Sequence, residues 1–125
     1  MQDRFKFRVW LKDTNKMYNV HSLHIGTNKA IISSRHGNVS IYINKNSILM
    51  QCTGLKDKNS KLIYEGDIVK IFHVSGTMQG RYFFDAVKWN DLRCRFDTEN
   101  YGRIDDDDIY EVIGNIYENP ELLKE

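Results

Sequence analysis

The most concentrated chemical groups in the chain are four consecutive carboxylates, Asp105, Asp106, Asp107 and Asp108. Carboxylate oxygens are the ligands that hard divalent cations prefer. Together with Asp97, this run suggests one enzyme class, a carboxylate-dependent metal nuclease. Neighbouring side chains of an extended chain point in opposite directions, however, and do not converge on one ion. We therefore expect a solvated acidic loop, with no bound metal and no cofactor.

Histidine spacing and the known catalytic motifs indicate no stronger site. His21 and His24 are three positions apart, but their surroundings favour strand or loop, and no third ligand is near in sequence. The GxSxG, P-loop, GxGxxG and HExxH patterns are all missing from the sequence. The sequence therefore predicts no catalytic residues and a protein that is not an enzyme.

The two cysteines, Cys52 and Cys94, form no CxxC pair and are too few for a disulfide framework. The first residues also lack the apolar segment of a signal peptide. Reduced thiols in a cytoplasm are therefore expected. Because Cys94 alternates with Leu92 and Phe96, we predict that it is a small buried hydrophobic residue in a short strand.

Basic and aromatic residues are interleaved near the start of the chain, which suggests a nucleic-acid surface on which cations meet phosphates and a Trp stacks on a base. The candidate residues for this surface are Arg4, Lys6, Arg8, Trp10, Lys12, Lys16 and Arg35. The same alternation also fits an amphipathic strand whose charges face solvent. Its apolar face would carry Phe5, Phe7, Val9 and Leu11. Trp10 then falls on the basic outer face, as its only stacking residue.

Charge is divided unevenly along the chain. The 125 residues contain 18 Lys/Arg and 17 Asp/Glu, a net charge of +1. Residues 1–61 hold 11 Lys/Arg and 3 Asp/Glu and carry +8, whereas residues 62–125 hold 7 and 14 and carry −7. The positive part could meet a polyanion, or the two parts could pair head to tail between copies of the chain.

Composition favours a β fold. Ile and Val occur 13 and 7 times, and Ala only twice. β-branched and aromatic side chains fit a pleated, half-buried surface, whereas Ala is the best helix former. Because no apolar run approaches the roughly 20 residues of a membrane span, no membrane association is expected.

The alternation of apolar and polar residues predicts where the strands lie. In the first part, the predicted strands are residues 4–12, the returning strand 17–20, and short strands at 23–25, 29–33, 39–43 and 48–53. In the second part they are residues 63–74 with a break at 65–67, 81–89, 92–96 and 109–117. A bulge or burial on both faces is predicted within residues 81–89, and a terminal helical turn with Asn119 as its N-cap follows.

This succession of strands and turns predicts an all-β, or mainly β, fold. An irregular N-terminal β-sheet or hairpin region, residues 1–54, precedes a small SH3-like barrel, residues 55–125, and the alternative is one compact unit. The polar residues 54–61 are the candidate boundary, and they lie where the charge changes sign.

Three stretches resemble the YopX family of small proteins from phages and prophages. They are residues 4–10 (RFKFRVW) followed by 16–18 (KMY), residues 49–69 (LMQCTGLKDKNSKLIYEGDIV) and residues 110–123 (YEVIGNIYENPELL). The family patterns are "tGLkDknGkeIYEGDIV" and "EVIGNIyEnPELL", and Ser60 stands where the family has Gly. Within them, residues 56–61 are predicted to form a hairpin tip, and Gly114 a bulge or a close backbone approach.

The resemblance implies a mostly β accessory protein with a small C-terminal barrel, expressed in the host cytoplasm, and it carries over no catalytic residues. The leading hypothesis for function is a non-enzymatic binding protein that acts through an unknown protein partner or through further copies of itself. The alternative is nucleic-acid binding by the basic N-terminal half.

Overall fold

The structure is a computed structural model that describes residues 2–104 and 107–124. Within them the regular elements are antiparallel strands and three short 3₁₀ turns. The prediction of a mainly β chain is therefore confirmed. The chain divides into two compact units, Met1–Cys52 and Thr53–Glu125.

The N-terminal unit is one antiparallel sheet. Its strands are β1 (Phe7–Leu11), β2 (Lys16–His24), β3 (Lys29–Ser34), β4 (Gly37–Tyr42) and the first residues of β5 (Ser47–Lys56). The 3₁₀ turns are Gln2–Phe5 and Ile25–Thr27. The order across the sheet is β4-β3-β2-β1-β5. Asn15 and Asn28 have left-handed φ angles of 52° and 53°, which Asn tolerates better than most residues, and so allow the chain to reverse beside β2.

β1 is a central strand, and this overturns one sequence prediction. It pairs with β2 on one edge and with β5 on the other. Val9 is fully buried, as predicted, but Trp10 is only 7% exposed. The assignment of Trp10 to an outer basic face is therefore wrong. Alternation showed that Val9 and Trp10 point to opposite faces, but it could not show that both faces are covered at this position.

The C-terminal unit contains the rest of β5 and six further strands. They are β6 (Leu62–Tyr64), β7 (Asp67–His73), β8 (Tyr82–Asn90), β9 (Arg95–Thr98), β10 (Gly102–Arg103) and β11 (Asp108–Asn115). A 3₁₀ turn, Pro120–Leu123, follows. β6 lies beside β5, and the other strands form a sheet in the order β10-β9-β8-β7-β11. The core residues are Ile63, Val69, Ile71, Val87, Ile104 and Tyr110. Among the described residues, no strand ladder closes this sheet into a barrel.

The predicted strand at 92–96 is wrong. Residues 91–94 are a turn, and β9 begins only at Arg95. Leu92 is 90% exposed, and Cys94 is also exposed, with a left-handed φ of 52°. Asn90 Oδ1 accepts the backbone N–H of Arg93 at 3.1 Å and stabilises this turn. Cys94 is therefore a surface thiol in a tight turn, because this local hydrogen bonding competes with strand pairing.

Two predictions from the family motifs are confirmed. Residues 57–61 connect β5 to β6 as a hairpin tip. At Gly114 the register of β11 against β7 shifts, and a Cβ there would lie 2.6 Å from Asn119 Oδ1. That oxygen accepts the backbone N–H of Asn115 at 3.2 Å. Asn119 is the N-cap residue of the last turn by position, but its side chain makes no capping bond to that turn.

Candidate functional site

The predicted nucleic-acid residues are placed unequally. Five of them are exposed: Arg4, Lys6, Lys12, Lys16 and Arg35. Arg8 is half-buried, and Trp10 is buried. Among the exposed five, Lys6 forms an ion pair with Asp3 at 3.1 Å. The N-terminal unit therefore presents cations at its surface, but not the stacking ring that the sequence had suggested.

Of the carboxylates considered for a metal nuclease, the structure describes Asp97, Asp107 and Asp108. Asp105 and Asp106 lie outside the described residues. Asp97 is buried, and its carboxylate accepts Arg95 Nε at 2.7 Å and Asn90 Nδ2 at 2.8 Å. Burial raises the pKa of Asp97, but these hydrogen bonds and the neighbouring arginine charges outweigh it, so the pKa lies below its usual value. Within the described residues, no group of three His, Cys, Asp or Glu side chains could hold a metal.

Asp57, in the middle family motif, organises the hairpin tip. It is buried, and its Oδ1 accepts the backbone N–H groups of Asn59 at 2.8 Å and Lys61 at 2.9 Å. Its Oδ2 accepts the backbone N–H of Val112 in β11 at 2.9 Å. Burial raises the pKa of this carboxyl, but the three hydrogen bonds and the Lys61 charge outweigh it, so the pKa lies below its usual value. Asp57 thus joins the tip to β11.

Other polar residues of the motifs have the same structural role. Asp67 Oδ2 accepts the backbone N–H of Tyr64 at 2.8 Å across the turn between β6 and β7. Asn115 Oδ1 accepts the backbone N–H groups of Tyr117 at 3.0 Å and Glu118 at 2.8 Å. The carboxylates and amides of the motifs therefore accept hydrogen bonds from backbone N–H groups in turns. This structural role accounts for the presence of these residues in the motifs.

His73 and Asp108 form the pair that most resembles acid–base machinery. His73 Nδ1 lies 3.0 Å from Asp108 Oδ2, and both side chains are largely buried. The rings of Phe83 and Tyr101 lie 5.5 Å and 6.1 Å from the imidazole. Nε2 is buried and has no hydrogen-bond partner among the described residues. In this arrangement Nε2 is enclosed by the protein.

The clearest exposed feature is a group of large side chains on one face of the β8-β7-β11 sheet. Phe72 lies opposite Tyr82 of β8 on one side and opposite Ile109 of β11 on the other. Lys70, two residues earlier, lies opposite Phe84. Because paired residues and residues two apart share a face, these side chains form one surface. We call Phe72, Tyr82, Phe84 and Ile109 the outer aromatic face.

The outer aromatic face is open and has a charged rim. Its four side chains are 38–56% exposed. Lys70 Nζ lies 4.4 Å from the centre of the Tyr82 ring, and Lys58 pairs with Glu111 at 3.5 Å. A groove of about 290 Å³ runs between Phe72 and Ile109 and is walled by these three charged residues. The aromatic centre and charged edge match the anatomy of protein interfaces.

Sequence reasoning did not identify this face. It predicted a bulge or burial on both faces for residues 81–89, yet Tyr82 and Phe84 are exposed, while Phe83 is half-buried and Asp85 is buried. Three consecutive aromatic residues give no alternation in hydropathy. Asp85 is polar yet buried, and it accepts the backbone N–H of Asn100 at 2.6 Å. The hydropathy pattern therefore does not show which residues of β8 point inward. The pairing of β7 with β8 and β11 shows that these side chains share one face, and no short sequence motif indicates this.

Comparison with known proteins decides the family. A family model described as YopX protein matches residues 6–124. The chain belongs to the YopX family. A crystal structure of protein EF1440 from Enterococcus faecalis is 31% identical, with a TM-score of 0.65 over 95% of this chain and 97% of that one. The structure of protein yopX from Bacillus subtilis is 22% identical, with a TM-score of 0.55 over 97% and 99%, and supports the fold.

No curated protein matches this YopX-family chain. Within the residues that the structure describes, no helix has the length and apolar character needed to span a membrane.

Proposed function

We propose that this YopX-family chain is a non-enzymatic accessory protein of a phage or prophage, acting in the host cytoplasm, which binds another protein through the outer aromatic face. The observation that carries the proposal is the joint exposure of Phe72, Tyr82, Phe84 and Ile109 on one sheet surface. Single exposed apolar residues are ordinary, but a contiguous patch with a polar rim is a feature of interaction sites.

The chemistry of the face favours a protein partner. Aromatic side chains supply large contact areas with few rotatable bonds, and they dominate the energetics of protein interfaces. Lys70 and Glu111 lie opposite each other across β7 and β11, and with Lys58 they give the rim charges of both signs for a partner's polar groups. A surface for a polyanion would not carry Glu111 at its edge.

The test compares capture of partners by two variants. Phe72→Ser combined with Tyr82→Ser removes the centre of the outer aromatic face, and Leu92→Ser removes a still more exposed apolar side chain elsewhere. Tagged proteins are expressed in cells that carry the phage or prophage, and captured proteins are quantified. We expect at least one protein to be captured equally by the wild type and Leu92→Ser, and at least about tenfold less by the double variant. Equal capture by all three folded proteins contradicts the proposal.

The second candidate function is nucleic-acid binding by the N-terminal unit. Residues 1–52 contain 8 Lys/Arg and 2 Asp/Glu, and five of the predicted contact residues are exposed. With Trp10 buried, binding would rest on phosphate contacts, so it would be independent of sequence and would weaken steeply with salt. Fluorescence anisotropy with single- and double-stranded oligonucleotides at about 50 mM salt tests this. Binding that Lys12→Glu with Lys16→Glu abolishes supports it, and no binding by the wild type excludes it.

A further inference from the structure

The edge strand β4 is the least protected part of the N-terminal sheet. It pairs with β3 along one edge, and no strand pairs with its other edge in the described part of the chain. Five of its six residues are exposed. Edge strands usually carry a charge, a proline or a bulge that prevents pairing with another chain. β4 has the sequence GNVSIY, without charge or proline, and its register with β3 runs without a shift.

The backbone groups of β4 that point away from β3 can be assigned. Ile43 continues the strand and donates its N–H to Asn28 O at 2.7 Å, so it forms hydrogen bonds toward the β3 side. Hydrogen-bonding direction alternates along an antiparallel strand. The N–H and C=O groups of Asn38, Ser40 and Tyr42 therefore point away from β3, and of these the Tyr42 C=O accepts a hydrogen bond from Ser47 Oγ at 3.3 Å.

We propose that β4 pairs antiparallel with β4 of a second copy of the chain, centred on Ser40. In this register Ser40 faces Ser40 of the copy, Asn38 faces Tyr42, and Val39 faces Ile41. All three outward-pointing residues then exchange backbone hydrogen bonds with the copy, about six in total. Two of these reach the Tyr42 C=O, whose second lone pair keeps its bond from Ser47 Oγ. Apolar side chains meet apolar ones, and no charges are opposed within the strand. Such self-complementarity is what a two-fold interface between identical chains requires.

Charge gives this pairing a distinguishing salt dependence. It brings together two N-terminal units that each carry 8 Lys/Arg against 2 Asp/Glu. Salt screens their repulsion, so pairing through β4 strengthens as salt rises. Nucleic-acid binding and head-to-tail pairing of opposite charges both weaken with salt. The inference is independent of the outer aromatic face, and variants of that face leave it unchanged.

Cross-linking tests the register. In a Cys94→Ser background, Ser40→Cys would place two thiols opposite each other, with Cα atoms about 5.5 Å apart, within disulfide range. The matched control is Ser33→Cys, because Ser33 is an exposed serine on β3, an internal strand. We expect mild oxidation to give a disulfide-linked dimer from Ser40→Cys at least about tenfold faster than from Ser33→Cys. Equal rates overturn the proposal.

Sedimentation of the unmodified chain tests the interface without cross-linking. We expect a reversible dimer whose fraction rises between about 50 and 500 mM salt. Ser40→Lys, which opposes like charges at the two-fold axis, raises the dimer dissociation constant at least about tenfold, whereas Ser33→Lys, one strand away from the interface, raises it much less. Circular dichroism verifies that both variants fold. A wild-type monomer at about 100 µM under all salt conditions overturns the proposal, as does a dimer that Ser40→Lys leaves intact.

Discussion

Replacement of Asp57 by Asn tests the structural role assigned to the middle family motif. The carboxylate accepts three backbone N–H groups, two on Oδ1 and one on Oδ2. Asn retains one acceptor oxygen and places an NH₂ group where Oδ2 was, so the amide opposes the N–H of Val112. A lost hydrogen bond to a charged group costs about 1.5–3 kcal/mol, and the other two bonds lose their charge assistance. We expect the free energy of unfolding to fall by about 2–4 kcal/mol.

The pH dependence gives this prediction a second test. The pKa of Asp57 is lower in the folded chain than in the unfolded one. The ionised carboxylate therefore stabilises the fold fully above the unfolded pKa of about 3.9, and this contribution is lost as the pH falls through the folded pKa. The stability difference between wild type and Asp57→Asn should be greatest near pH 7 and shrink toward pH 3. Asp97, whose pKa is also lowered, is present in both proteins and cancels in the comparison.

Urea unfolding followed by circular dichroism measures the difference, with Asp91→Asn as the control. Asp91 is exposed in the turn after β8, and its replacement is expected to change stability by less than about 0.5 kcal/mol. A loss below about 1 kcal/mol for Asp57→Asn at pH 7, or a difference that grows as the pH falls, would refute the reasoning.

Three further predictions concern backbone positions and thiols. Ser60 has a left-handed φ of 66°, so Ser60→Gly relieves strain and should raise the unfolding free energy by about 0.5–1 kcal/mol in the same urea assay. Gly114→Ala places a Cβ 2.6 Å from Asn119 Oδ1 and should lower the thermal midpoint, with a cost of about 1–3 kcal/mol. Cys94 should react with a thiol reagent in the folded chain, whereas the buried Cys52 should react only after unfolding, as mass spectrometry can record.

The sequence predicted features that depend on local chemistry. Alternation and the turn residues between β1 and β2 identified that hairpin. Gly114, an isolated glycine in an apolar strand, indicated the bulge that the register shift confirms. These predictions succeeded because a turn or a bulge is specified by a few neighbouring residues.

The errors arose where burial depends on distant strands. Phe7, Val9 and Leu11 alternate with Trp10 along β1 as predicted, but alternation does not reveal how much of each face is covered. Phe5, predicted to lie on the same apolar face, instead lies in a 3₁₀ turn and is 61% exposed. Cys94 lies in a turn that a side-chain hydrogen bond from Asn90 stabilises, and local hydropathy cannot show that bond. Asp57 is buried because a backbone donor arrives from β11, 55 residues away. The outer aromatic face likewise exists only once β7, β8 and β11 pair.

Site-specific photo-cross-linking tests the central claim, that the outer aromatic face binds a protein, most directly. A photoreactive phenylalanine analogue replaces Tyr82, the most exposed residue of the face, or Leu92 as an exposed control outside it. The chain is irradiated in cells that carry the phage or prophage. We predict a discrete, protease-sensitive adduct of one protein from position 82 and none from position 92. No adduct at position 82, or an adduct that nuclease digestion removes, would contradict the claim.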